Sequence, residues 1–206
     1  MKVILLFLFS VYTQYSVAQL LLAPGEGSFE RKWIKSTSFE MNWYALRDTS
    51  KIKIGNVSTQ ILVTSETLQV VTIVNIKNLT TAWVDSTIAQ LSTLKPIRHS
   101  SYNLQRDMVL NFGSSITGYY NDKVKNEYTI INDTAKYAYF DSNLYPILLE
   151  WLPLKLGYTQ DISIYDYNPS AKIGFFKASV QEVKDGTYST IKSGTMEVWI
   201  VVVTDE

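Results

Sequence analysis

A mainly β fold follows from three features of this sequence. Runs of alternating apolar and polar residues recur from residue 37 to the end, β-branched and aromatic side chains crowd those runs, and only one segment reads as a helix. The 14 Tyr, 8 Phe and 5 Trp supply large apolar areas with a preference for strands, and hydrophobic residues make up 46% of the chain. Nine to eleven strands are expected, at spacings that suit a meandering antiparallel sheet. No Cys is present, so no disulfide staples the fold and a sizeable core must hold it.

The first 18 residues read as an export signal. Met1 and Lys2 form a basic start, and the apolar run from Val3 to Phe9 is too short for a permanent transmembrane helix. Ser16 and Ala18 flank Val17 in the small-residue pattern of a signal-peptidase site, which places cleavage after Ala18 and makes Gln19 the first mature residue. The product is expected in the periplasm or outside the cell, untethered because no Cys can take a lipid anchor, and monomeric. No later apolar run nears the ~20 residues of a spanning helix. Cleavage leaves 188 residues with 18 basic and 19 acidic side chains, a net charge of −1. The lysines are scattered along the chain, which argues against a nucleic-acid surface.

Residues 19–36, with Pro24, Gly25 and Gly27, read as an N-terminal arm, and residues 37–206 as one β-rich domain. In the first strand Phe39, Met41, Trp43 and Ala45 share a face. Residues 51–64 alternate Val57, Thr59, Ile61 and Val63 against Ser58, Gln60 and Leu62, and residues 68–76 continue with Val70, Val71, Ile73 and Val74. Two strands are expected between Trp83 and Asn103, because Pro96 forbids a continuous helix. Met108, Leu110 and Phe112 alternate next, followed by a hairpin with its turn at Asn121 and Asp122.

The helix candidate spans residues 141–154, with Asp141 or Ser142 as N-cap, Pro146 in the first turn and Pro153 ending it. It is apolar nearly all round, so it should pack into a core or plug a concave sheet. Strands resume at residues 160–167 and 173–184. Asp185 and Gly186 form the strongest two-residue hairpin signal, with residues 187–191 pairing back. The final run, Met196 to Val203, is apolar on both faces and is expected to be central. Two accounts suit a chain that stops three residues later: a fragment of a longer protein, or a natural last strand shielded by an earlier one.

Catalytic signals are weak. His99 is the only histidine, and no serine lies in a GxSxG elbow, so His99 is expected to be a surface or strand-edge residue with ordinary hydrogen bonds. One histidine and no cysteine also argue against zinc, and no metal or cofactor is expected. Asp161 and Asp166, five apart on a strand, face opposite sides and do not suit paired acid and base duty. Gly113 to Gly118 lacks the GK[ST] ending of a phosphate loop and reads as a turn. Asn56, Asn78 and Asn132 each open an N-x-[ST] triplet, but a bacterial-looking signal argues against their glycosylation. The aromatic residues read first as core and cross-strand pairs, and second as the lining of an acyl or sugar site.

The stretch Leu152 to Tyr158 (LPLKLGY), after the apolar helix and before strands carrying Phe175, Val180 and Val183, resembles an exported bacterial family, the domain of unknown function 3108, from about Thr37 onward. That family is similar in turn to the periplasmic lipoprotein carriers of the LolA/LolB kind. The resemblance implies a curved antiparallel sheet, a half-barrel, covered by one or two short helices and holding a lipid or the acyl chain of a lipoprotein. On this expectation Phe39, Met41 and Trp43 of the first strand and Leu148, Leu149 and Trp151 of the helix line the ligand site, and no enzymatic activity follows. The competing expectation is a structural, carbohydrate-binding or partner-binding module of the envelope.

Overall fold

The computed structural model describes residues 20–25, 27, 29–191 and 193–205. The expected signal segment, residues 1–18, lies outside the described residues. Eight strands form an antiparallel curved sheet in sequence order: β1 (Thr37–Arg47), β2 (Ser50–Val63), β3 (Thr67–Ile76), β4 (Trp83–Gln90), β5 (Pro96–Tyr102), β6 (Arg106–Phe112), β7 (Ser115–Asp122) and β8 (Glu127–Thr134). A second, four-stranded sheet runs in the order β12 (Gly194–Asp205), β11 (Ile173–Thr190), β10 (Gln160–Tyr167), β9 (Phe140–Asp141). One short helix, α1 (Tyr145–Trp151), lies between β9 and β10 in the chain. The mainly β, curved-sheet expectation therefore holds, including the two strands between Trp83 and Asn103.

The sheets pack face to face, because alternation gives each an apolar side that must leave water. Ile61, Leu68, Val70 and Ala89 of the large sheet meet Phe140, Ile162, Ile164, Val180 and Val183 of the small one, with Leu144, Leu148 and Trp151 among them. A second cluster joins Met108, Leu110 and Ile116 to Tyr139, Tyr165 and Tyr167, where Phe112, Tyr139, Tyr165 and Phe175 contact edge to face or tilted at 5.2–6.2 Å. The N-terminal arm is stitched in. Leu22 donates its N–H to Asp161 O at 2.8 Å, accepts from Ser163 N at 2.9 Å, and is buried.

Four local expectations need correction. The helix is half the expected length, and Asp141 is not its N-cap; it belongs to β9, and Leu144 precedes the helix without a side-chain cap. The β7–β8 turn falls at residues 123–126, because Asp122 Oδ1 accepts from the N–H groups of Val124 and Lys125 and caps that turn from its start. Asp185 and Gly186 make no turn at all: they lie inside β11, opposite Trp199 and Val198. Gly186 serves there by lacking a side chain, since a Cβ would sit 2.5 Å from Ile200 Cδ1. Finally, β12 is an edge strand rather than a central one, with Met196, Trp199, Ile200 and Val202 exposed.

Candidate functional site

Two arrangements of polar groups stand out against this apolar interior. The first is largely buried. Asp85 and Thr87 of β4 and His99 and Ser101 of β5 point from the large sheet toward Asp141 of β9, which enters from the small sheet. Asp141 Oδ1 lies 2.8 Å from His99 Nδ1, Thr87 Oγ1 donates to Asp141 Oδ2, and Asn143 Nδ2 donates to Thr87 Oγ1 at 3.0 Å. His99 Nε2 faces Asp85 Oδ1 at 3.9 Å, and neither atom has a hydrogen-bond partner.

Burial alone would lower the pKa of His99, but the charge and hydrogen bond of Asp141, reinforced by Asp85, outweigh it and push the value up from 6.5 to about 10. The ring is therefore an imidazolium at neutral pH. Burial likewise opposes ionisation of Asp85, yet the polar hydrogens of His99, Ser101 and Trp83 around it leave its pKa below the ordinary value. The surface position expected for His99 is thus corrected: it is only 4% exposed and held between two carboxylates. Held between carboxylates from both sheets, this histidine ties the two sheets together.

The second arrangement opens at one end of the sandwich, where loops 77–82 and 103–105 and the turn 168–172 converge on a pocket of about 380 Å³. Ile76, Leu79, Trp83, Leu104 and Tyr120 give it apolar walls, and Asn103, Arg106 and Asn168 add polar groups. The Arg106 guanidinium lies 5.6 Å from the centre of the Trp83 ring and donates to Ser101 Oγ at 3.3 Å. Its Nε has no hydrogen-bond partner, and Arg106 joins no ion pair among the described residues. Ser101 also accepts from Trp83 Nε1 at 3.3 Å, so one hydroxyl links the pocket floor to the buried charges.

The family model described as "Protein of unknown function (DUF3108)" matches residues 38–206. The chain belongs to the DUF3108 family. No curated protein and no solved structure matches it, so the comparisons do not extend this membership to the lipoprotein carriers.

In this DUF3108 member four of the six residues expected to line a ligand site share one core cluster, and the other two lie apart from it. Leu148 and Trp151 are buried in the core between the sheets, with Leu149 and Phe39 packed against it. Met41 and Trp43 are 52% and 40% exposed, farther along β1. Sequence reasoning missed Arg106, Leu104 and the amides of the pocket, because they sit on loops and strand ends outside any periodic pattern. The pairing of β4 with β5 places Asp85 opposite Ser101 and Thr87 opposite His99. Polar residues at alternate positions of two neighbouring strands, all on the apolar face, were the one available signal.

Proposed function

We propose that this chain is an exported, non-enzymatic binding protein of the cell envelope that takes the apolar tail of a lipid or of an acylated protein. The end pocket is the seat. The observation that carries this reading is its composition: apolar walls from Leu79, Leu104, Ile76 and Trp83, closed by a guanidinium with an unpartnered N–H. The interior of the sandwich is packed with fully buried side chains, so a chain-like ligand finds room at the end rather than under the helix. At ~0.8 kcal/mol per methylene, a tail seating about six of them would gain ~5 kcal/mol, a Kd of roughly 0.2 mM before any contact to its head group. Such an affinity suits exchange more than storage.

The test is organic extraction of the purified protein followed by mass spectrometry, together with displacement of a fluorescent fatty acid. Bound acyl species and at least a tenfold weaker displacement in Leu104→Asp are expected. Absence of any co-purifying acyl chain and of fatty-acid binding would sink the reading.

A second reading has its own observation. On the opposite face of the large sheet Tyr119 and Tyr128 stack at 5.5 Å with an interplanar angle of 18°, and Tyr128 and Tyr102 are exposed. Stacked phenols of this kind form a platform for a sugar ring. A glycan array comparing the protein with Tyr128→Ala tests it, with loss of a specific glycan signal as the supporting result.

A further inference from the structure

The β1–β2 hairpin continues past the end of the sheet that carries it. Gly55 opposite Ile76 is the last register pair between β2 and β3, whereas residues 44–47 and 50–53 pair only with each other. At ~3.3 Å per residue the hairpin overshoots by about 15 Å. It does so at the end where loop 77–82 rims the pocket, since β3 ends beside the start of β2.

The overshooting residues combine exposed apolar side chains with cations. Tyr44 is 43% exposed, Leu46 73% and Ile52 47%. Register places Tyr44 beside Lys53 and Leu46 beside Lys51 on one face, where each apolar group has an ammonium as its cross-strand neighbour, and Ile52 beside Ala45 on the other face. Arg47 follows at the tip. Asp48 is the single acidic residue between positions 44 and 53, against Arg47, Lys51 and Lys53, on a chain whose formal net charge is zero. None of these three cations joins an ion pair among the described residues. Lys77 flanks the base of the hairpin across a surface cleft from Lys53.

A protein partner is usually met by an apolar centre with charges at the rim. Here two apolar–cationic pairs share one face while Ile52 and Ala45 lie on the other, so the hairpin tip presents apolar groups on both faces beside its cations. This matches the boundary of a bilayer, where rings and aliphatic groups enter the headgroup layer while ammonium and guanidinium groups stay with the phosphates. We propose that this hairpin docks the protein on an anionic phospholipid surface, with Tyr44, Leu46 and Ile52 entering the headgroup layer and Arg47, Lys51 and Lys53 engaging phosphate. The inference goes beyond tail binding, and either can fail while the other stands.

Flotation with large unilamellar vesicles tests it, using phosphatidylcholine alone and phosphatidylcholine with about one-third phosphatidylglycerol. Recovery with the anionic vesicles is expected, weakening as salt rises and shortens the reach of the charges. Lys51→Glu with Lys53→Glu should lower the partition coefficient roughly thirtyfold or more. Leu46→Glu with Ile52→Glu should abolish recovery. Both pairs are exposed, and an unchanged melting temperature verifies the fold. Leu46→Trp supplies an independent readout, quenching by brominated acyl chains. Failure to float with anionic vesicles, or flotation that Leu46→Glu with Ile52→Glu leaves intact, overturns the proposal. Fatty-acid binding in solution should be the same in every hairpin variant, which separates a failure at the hairpin from one at the pocket.

Discussion

His99 carries a charge in the middle of the protein because two carboxylates from different strands face it. Removing it would strand Asp141 and Asp85 in a low-dielectric interior. His99→Leu is therefore expected to cost about 3–5 kcal/mol, measurable as a lower urea midpoint. His99→Leu combined with Asp141→Leu should cost less than the two changes summed, because the second removes the charge that the first leaves unpaired. The pH dependence follows from the same pair. The folded-state pKa of His99 is raised from 6.5 to about 10, so the stability it contributes is fully present below pH 6.5 and is lost as pH rises toward 10. Asp85, whose folded pKa is lowered, works in the opposite direction: its contribution is present above 3.8 and is lost as acid protonates it in the folded state. Thermal melts should show a falling melting temperature between pH 6.5 and 10, and His99→Leu should flatten that fall.

Among the elements, the strands were legible where one face is wet and the other dry. The alternation of Thr59 and Ile61 against Gln60 and Leu62 is reproduced as buried against exposed. Glycine-based signals misled, because a glycine can mark a turn or a close approach within a sheet. Gly186 is of the second kind. Gly118 is an extreme instance, since a Cβ there would lie 1.9 Å from Val109 O on the neighbouring strand. No side-chain adjustment relieves a clash with backbone. Gly118→Ala is accordingly expected to part β6 from β7 and to cost about 3 kcal/mol or more, seen as a lowered melting temperature and faster amide exchange in Met108 to Leu110. The helix was misjudged for a related reason: Asp141 has the composition of an N-cap, but a charge-assisted bond to His99 outweighs a cap worth about 1 kcal/mol.

At the scale of the molecule, both apolar clusters draw on both sheets, and the buried charges join β4 and β5 to β9. Neither sheet keeps a dry face without the other. Unfolding is therefore expected to be one cooperative transition, with tryptophan fluorescence and far-UV circular dichroism giving coincident urea curves. Separate midpoints would mean that one sheet survives alone. The ends of the sandwich differ: one carries the pocket and the basic, apolar hairpin, which gives the molecule a direction with respect to any charged surface.

The sequence by itself determined the class of fold, the approximate number of strands, the two strands around Pro96 and the membership signalled near Leu152 to Tyr158, because period-two alternation and turn residues are local properties. Only the tertiary structure decided which polar residues are buried, that β12 lies at an edge, and where an open pocket forms. Those outcomes depend on partners far apart in the chain: His99 meets Asp141 across 42 residues and Thr87 meets it across 54. No local pattern records such a meeting, since a buried aspartate and a solvated one are written with the same letter, and what separates them is the charge that packing brings to its side.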